Sequence, residues 1–288
     1  MTRLELSVAT PVVTMLPGAH ASWEEAASIE EVARIAEVAD RLGYHHLTCS
    51  EHIGVPAADA VRRGATYWDP LATFGYLAAR TERIRLTTSV LVLGYHHPLE
   101  IAKRYGTLDR VSGGRLILGV GVGTLQEEFD LLGAPFEDRG ARADDALRAL
   151  RASLSTNEPA YDGEHYSFGG LIVDPCAVQE RVPIWVGGRT LRSLRRAVAL
   201  ADGWCPFGVP AATAAEWLGK VDVPPSFQVV LGPGRPLDPV GEPAAAADRL
   251  ATLAASGATI VSASVVHHSL EHYLDQLAAL ADARDQVA

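Results

Sequence analysis

The chain has 288 residues, of which 48% are hydrophobic and 21% charged, and this composition excludes a disordered or fibrous protein. The formal net charge of −10 argues against nucleic acid or an anionic membrane surface as a partner, because phosphate binding needs clustered lysine and arginine. Cys49, Cys176 and Cys205 form no CxxC pair, which predicts reduced thiols and a cytoplasmic protein. The first residues look like a strand, so no signal peptide is expected, and no apolar run is long enough to span a bilayer.

Eight short apolar runs rich in β-forming residues alternate with longer runs of helical spacing. In chain order, the strand candidates are RLELSVAT, HHLTCSEH, RIRLTTSVLVL, RLILGVGVG, PIWVGG, GWCPF, SFQVVLG and ATIVSASVV. Gly43 and Gly257 stand where helices are expected to end. Strands that alternate with helices predict a parallel sheet, and eight of them favour an α/β fold closed into a (β/α)8 TIM barrel. Residues 1–288 are predicted to form a single domain.

One stretch, from about residue 157 to 183, interrupts this alternation between the fourth and fifth units. It contains the turn dipeptides Asp162-Gly163 and Gly169-Gly170 between short β-like runs. The pattern predicts an inserted hairpin with a loop. Long insertions of this kind are usually functional or disordered, and we expect this one to act as a lid.

The fifth strand candidate ends in a pattern typical of anion binding. Active sites of TIM barrels lie at the carboxyl ends of the strands. Gly187 and Gly188 let the backbone approach a ligand, and Arg189 adds a fixed charge. A helix that starts near Thr190 offers free N–H groups and a positive dipole end. We predict a phosphate site here; the alternative is a turn before an N-capped helix.

The fourth strand candidate ends with Gly119, Gly121 and Gly123. The G-x-G-x-G spacing does not match the dinucleotide fingerprint, so a Rossmann site is not predicted. Small residues here would let a flat ring lie against the strand. Alternatively, these glycines serve only tight packing.

The second strand candidate ends in Cys49-Ser50-Glu51-His52. His52 in the barrel mouth can act as an acid or base, with Glu51 orienting it, although a histidine there can equally be structural. The pairs His45-His46, His96-His97 and His267-His268 do not predict a metal site, because adjacent strand residues point to opposite faces and no HxH or HExxH pattern occurs.

Hydrolase signatures are not found. No G-x-S-x-G elbow is present. Glu127 and Glu128 could imitate a glycosidase carboxylate pair, but a charged helix start is usually solvated, and we interpret them in that way.

Six segments of the chain are each weak evidence of a family when taken alone, but their occurrence in this order is specific. They are SEH from Ser50, YWDPLATFGYLAARTERIRLTTSVLVLGYHHPLEIAK from Tyr67, LDRVSGGRLILGVGVG from Leu108, GAPFEDRGAR from Gly133, YDGEHYSF from Tyr161 and PIWVGGRTLRSLRRAVALADGW from Pro183. From Arg3 to about Phe207, the chain resembles the luciferase-like monooxygenase superfamily, particularly its subgroup of probable oxidoreductases that use the deazaflavin coenzyme F420. The family fold is a (β/α)8 barrel with an insertion, in agreement with the strand count.

The resemblance implies a flavin-like ring at the barrel mouth. The positions that match the family's cofactor site are Ser89 and Val90 at a non-prolyl cis peptide behind the ring, Gly121, Gly123 and Thr124 beside it, and Gly187, Gly188, Arg189 and Thr190 at the phosphate. His52 matches a histidine that lies near the reactive carbon in some deazaflavin relatives. Those relatives can carry an acidic residue where this chain has Thr124, so sugar-phosphate dehydrogenation by that acid–base pair is not implied.

The resemblance therefore predicts an oxidoreductase that transfers hydride between F420 and a small organic substrate, with FMN as the second choice of cofactor. His52 is predicted to exchange a proton, and Glu51 is predicted to orient His52 or to contact the cofactor. The residues predicted on the substrate side are Tyr67, Trp68, Tyr95 and His97, with a position in the core or at the rim as the alternative for each. The alternatives are an FMN-dependent monooxygenase that uses reduced flavin and O2, and an inert flavin-binding protein. A homodimer is expected, with a flavin or F420 reductase as a further partner.

Overall fold

The computed structural model describes residues 3–286, in which eight parallel strands form a closed barrel. They are β1 (Glu5–Val8), β2 (His46–Cys49), β3 (Arg85–Thr88), β4 (Leu116–Gly121), β5 (Ile184–Gly188), β6 (Gly203–Pro206), β7 (Gln228–Leu231) and β8 (Ile260–Ala263). Each strand pairs with the next one in the chain, and β8 pairs with β1, so the sheet closes. The predicted (β/α)8 TIM barrel is confirmed, with every strand candidate in its place.

A helix follows each strand, and two shorter helices lie in the loops after β2 and β4. The helices are α1 (Ile29–Arg41), α2 (Ala57–Arg63), α3 (Pro70–Ala78), α4 (Pro98–Val111), α5 (Gln126–Leu132), α6 (Arg139–Arg151), α7 (Leu191–Leu200), α8 (Ala211–Leu218), α9 (Pro243–Ala255) and α10 (Leu270–Asp285). Short 3-10 helices cover Ser22–Ala26 and Leu93–Tyr95, and the short strands are Thr14–Met15, Thr66–Tyr67 and Leu91–Val92, with two more in the insertion.

The helix ends follow local rules that the sequence shows. Ser28 caps α1 and forms a capping box with Glu31, whose carboxylate accepts from the Ser28 N–H at 2.7 Å. Gly43 and Gly257 follow α1 and α9 with φ angles of 73° and 94°, a region that favours glycine. Both glycines therefore end helices as predicted. Within residues 3–286, none of the helices is both long and apolar enough to cross a membrane.

Two layers of apolar side chains hold the barrel together. The main core lies between the strands and the surrounding helices. A smaller cluster fills the inside of the barrel and consists of Ile117, Trp185, Val230 and Ile260, one residue from each of four strands. This cluster closes the barrel interior from below, so the cavity described next opens at the carboxyl ends of the strands.

The insertion, residues 157–183, contains the predicted hairpin, formed by Tyr161–Asp162 and Ser167–Phe168. Asp145 of α6 accepts hydrogen bonds from two backbone N–H groups at the hairpin turn, at 2.7 and 3.0 Å. Asp109 of α4 accepts two more from the returning chain, at 2.9 and 3.1 Å. The insertion is thereby fastened to the outer helices α4 and α6.

Candidate active site at the mouth of the barrel

A cavity of about 1620 Å³ opens at the carboxyl ends of the strands and continues into the barrel. Single ligand pockets usually measure about 300–1,000 Å³, so this one has room for a cofactor together with a substrate. It is lined by every cofactor residue predicted from the sequence, namely Ser89, Val90, Gly121, Gly123, Thr124, Gly187, Gly188, Arg189 and Thr190. Glu51, His52, Tyr67 and Tyr95 line it as well.

Two residues predicted on the substrate side do not line the cavity. Trp68 packs against the core, and its carbonyl accepts from the Cys49 thiol at 3.4 Å. It follows Tyr67 in an extended segment, so the two side chains point to opposite sides. His97 instead caps α4, where its ring accepts from the Leu99 N–H at 3.2 Å.

The insertion does not close the cavity. All of residues 157–183 are described by the structure, and none of them lines the cavity. The expectation of a lid is therefore not met, because the hydrogen bonds to Asp109 and Asp145 hold the insertion against the outer helices.

The end of β3 carries a cis peptide bond between Ser89 and Val90, where the resemblance placed it. Ser50 Oγ donates to the Ser89 carbonyl at 2.8 Å, which ties this bond to the end of β2. Val90 fills the space beside two glycines, because a Cβ at Gly121 or Gly187 would lie 2.6 Å from a Val90 methyl group. Gly121 and Gly187 thus permit tight packing of Val90, and Val90 is itself part of the cavity wall.

We expect Gly187→Ala to destabilise the protein by about 1–3 kcal/mol, the usual effect of overpacking, because Val90 must move. The measurement is the free energy of unfolding in urea. Gly75→Ala in α3 is the matched control, since a Cβ there meets no atom within 4 Å and alanine favours a helix. Equal losses of stability in both variants would contradict this packing argument.

The start of α7 has the features of an anion site. Thr190 is the N-cap, and its Oγ1 accepts from the Ser193 N–H at 3.3 Å. A Cβ at Gly188 would lie 2.6 Å from Ser193 Cβ, so only glycine fits where the chain enters the helix. Arg189 is exposed, with its guanidinium 4.8 Å from the centre of the Phe207 ring. The other first-turn N–H groups have no partner within the helix and favour an anion.

A second basic group lies where Arg192 and Arg196 of α7 approach the start of α6. A Cβ at Gly140 would lie 3.4 Å from Arg192 Nη2 and 3.3 Å from Arg196 Nη2, so both guanidiniums reach the same point. Arg196 also pairs with Asp144, and Arg139 lies 3.9 Å from the centre of the Phe136 ring. All three arginines line the cavity. The positive ends of two helices therefore lie along its wall together with several arginines, which favours anionic groups.

His52 is held by Glu128. His52 Nδ1 lies 2.8 Å from a Glu128 carboxylate oxygen, which also accepts from the Tyr95 hydroxyl at 2.6 Å. The other oxygen accepts from the N–H groups of Ile53 and Gly54, at 2.7 and 3.2 Å. Burial opposes ionisation of Glu128, but the hydrogen bonds outweigh it and lower its pKa. An ionised carboxylate can only accept, so His52 Nδ1 carries a proton and Nε2 is left free.

The predicted role of Glu51 in orienting His52 is wrong. Glu51 accepts from the Val92 N–H and from His96 Nε2, both at 2.7 Å, because consecutive extended residues point to opposite sides. Burial disfavours a charged His96, but the contact with Glu51 outweighs this effect and raises the pKa of His96. The position of Glu51 therefore links the end of β2 to the segment after β3.

The interpretation of Glu128 as a solvated residue is also wrong, since its side chain is only 1% exposed. A signal was available in the sequence. Leu125, Glu128 and Phe129 share one face at helical spacing, and all three are buried. A carboxylate on an apolar helix face indicates a buried partner, and that partner is His52. Glu127, the exposed neighbour, is solvated as expected.

A profile of the luciferase-like monooxygenase family matches residues 10–223. The chain belongs to this family. An uncharacterised protein of Mycobacterium tuberculosis (strain ATCC 25618 / H37Rv) is 33% identical over 185 residues, which cover 60% of this chain and 66% of that protein. The F420-dependent glucose-6-phosphate dehydrogenase of Nakamurella multipartita is 30% identical over 181 residues, which cover 60% of this chain and 51% of that enzyme. The chain thus spans less than two thirds of the length of these relatives.

The luciferase-like fold extends over the whole barrel. The monooxygenase RslO1 from Streptomyces bottropensis superimposes with a TM-score of 0.74 over 97% of this chain and 98% of that one, at 22% identity. This likeness concerns the fold alone. Beyond the family match, the chain still contributes to the cavity through Leu231, Gly232, Arg249, Ser262 and Ser264, which sequence reasoning did not identify.

Proposed function

We propose that this luciferase-like protein is an oxidoreductase that binds coenzyme F420 and transfers hydride between it and a small organic substrate. The observation that carries the choice of cofactor is the presence of two basic groups along one cavity wall, at the starts of α6 and α7. FMN ends at its phosphate, whereas the side chain of F420 continues past a phosphodiester into carboxylates. A wall with two anion-favouring groups suits the longer acidic side chain.

The residues present fit such a coenzyme. Residues 187–190 with the start of α7 would hold its phosphate, and the second basic group would hold its acidic extension. Val90, enclosed by glycines of β4 and β5, offers an apolar surface for the ring. When bound, the coenzyme supplies the hydride chemistry.

His52 is the candidate acid or base. Its Nε2 can accept a proton from a substrate that is oxidised, or donate one to a substrate that is reduced. Glu128 holds Nδ1 and offsets the charge of the protonated ring. Tyr67 lies edge-on to the ring, with the ring centres 4.4 Å apart, and Tyr95 donates its hydroxyl to Glu128. Tyr95 therefore positions the pair, while Tyr67 limits how the His52 ring can turn.

Titration of the purified protein with F420 and with FMN, followed by ring fluorescence, tests this proposal. We expect F420 to bind at least about tenfold more tightly than FMN, the effect of roughly one charge-assisted contact. Arg192→Glu should abolish this preference, because Arg192 belongs to the second basic group. Arg195→Glu, an exposed position of the same helix that does not line the cavity, is the matched control.

Each outcome of the titration has a distinct meaning. Tighter binding of FMN, unaffected by Arg192→Glu, would replace the proposal by an FMN-dependent monooxygenase. Binding of F420 without reaction towards any hydride donor or acceptor would favour an inert binding protein. Binding of neither cofactor would refute the proposed function and leave the family and the fold.

A further inference from the structure

His45 and His46 are in direct contact at the amino-terminal end of the barrel. Their Nδ1 atoms lie 2.8 Å apart. His46 is the first residue of β2, is buried, and lines the floor of the cavity. His45 precedes the strand and is partly exposed. Because His45 lies outside the strand, the alternation of side chains does not separate the two rings, contrary to what the sequence pattern suggested.

The floor of the cavity contains polar groups without protein partners. Trp185 Nε1 and Thr87 Oγ1 are buried and have no hydrogen-bond partner within residues 3–286, yet both residues line the cavity. They lie two residues below Gly187 and Ser89 on their strands, roughly 6–7 Å deeper. Buried donors of this kind are normally satisfied, so they indicate water or a neutral polar group at the floor. Thr48 and Ser262 add further hydroxyls there.

The two rings are uncharged near neutral pH. Burial lowers the pKa of His45 to about 4 and also holds the pKa of His46 well below its ordinary value, and the nearby Arg85 acts in the same direction on both rings. Trp185 stacks on His45, with ring centres 5.9 Å apart, and meets His46 edge-on. In a neutral pair, one Nδ1 donates a proton and the other accepts it, while the Nε2 atoms lie on the far sides of the two rings.

We propose that His45 and His46 form a proton relay between the floor of the cavity and the solvent at the opposite end of the barrel. A proton that binds His45 Nε2 displaces the Nδ1 proton of His45 to His46 Nδ1, and His46 releases its Nε2 proton into the cavity. The reverse order carries a proton out, and no proton is gained or lost by the pair. The relay rests on the proposed function, because oxidation of an alcohol to a carbonyl group yields a hydride and one proton, and the reverse reaction consumes both.

The relay would supply a path for protons when cofactor and substrate fill the mouth of the barrel. His52 exchanges protons on the mouth side, where a bound cofactor and substrate would exclude water. The histidine pair reaches the cavity from below, through the barrel floor. Protons can then equilibrate with solvent before either ligand leaves.

His45→Gln tests the relay in the protein without any ligand. The glutamine amide can still donate a hydrogen bond to His46 Nδ1 but cannot pass a proton on. We measure the exchange of the His46 side-chain N–H with water by NMR of 15N-histidine-labelled protein between pH 5 and 7. Wild-type exchange should accelerate as pH falls, and His45→Gln should lower it at pH 6 by about tenfold or more, since only a titrating imidazole supplies this path. His268→Gln, outside the cavity lining, is the matched control and should change nothing.

Equal exchange rates in wild type and His45→Gln would overturn the relay and leave a purely structural pair. If His45→Gln does not fold, His45→Phe keeps a ring on Trp185 and should show the same loss. Binding of F420 and FMN is titrated separately. If His45→Gln slows the exchange but the wild type binds neither cofactor, the relay stands and the proposed function is refuted. If His45→Gln leaves the exchange unchanged and the wild type binds F420, the relay is refuted and the proposed function stands.

Discussion

Arg189→Glu is expected to raise the dissociation constants of both F420 and FMN by about tenfold to a hundredfold, because it replaces an attractive charge by a repulsive one at the predicted phosphate site. Arg189 lies at the positive end of α7, where the free N–H groups and the side chain would act on the same anion. Both cofactors carry a phosphate, so the effect should not distinguish between them. Fluorescence titration in low salt measures it.

Two comparisons make this result specific. Arg195→Glu has the same change of charge on the same helix, outside the cavity lining, and should alter either constant by less than about threefold because exposed charges are screened. Because Arg189 is exposed, raising the salt concentration should shrink its effect. If Arg189→Glu binds both cofactors as tightly as the wild type does, the phosphate does not lie at residues 187–190.

Glu128→Gln is expected to reduce the free energy of unfolding by about 2–4 kcal/mol, because a buried acceptor of four hydrogen bonds becomes an amide that must turn an N–H group towards a donor. His52 should also lose its fixed tautomer, so its two ring nitrogens should share the proton. Urea unfolding measures the first effect and 15N NMR of His52 the second. Glu127→Gln, the exposed neighbour, is the control and should change neither.

The loss should depend on pH in a defined direction. Hydrogen bonds lower the pKa of Glu128 in the folded protein below its value in the unfolded chain, which is about 4.3. The charged carboxylate therefore stabilises the folded protein at pH values above the unfolded pKa. This stabilisation is lost as the pH falls through the folded pKa. The difference in stability between wild type and Glu128→Gln should therefore be largest at neutral pH and shrink below about pH 4. A difference that stays constant down to pH 2 would show that the carboxylate charge is unimportant.

The barrel was predictable because each strand carries its own apolar run, and five of the ten helices begin at a residue whose side chain caps them. Local patterns also placed residues 187–190 at a turn before a capped helix, a contiguous feature, and the structure puts these residues on the cavity wall; the phosphate there stays a prediction. The contact between His52 and Glu128 spans 76 positions, and no spacing rule reaches that far. The error at Trp68 is local instead. Neighbouring side chains of an extended segment point to opposite sides, so a shift of one residue decides whether a side chain faces the cavity or the core.

The packing of Val90 between Gly121 and Gly187 makes three distant positions of the chain depend on one another. A side chain at 121 or 187 meets a methyl group of Val90, so it fits without strain only if residue 90 moves or becomes smaller. Among relatives with this geometry, these three positions are therefore expected to vary as a set. For redesign of the cavity, substitutions at these three positions should therefore be chosen together, because a change at one of them alters the space available at the others.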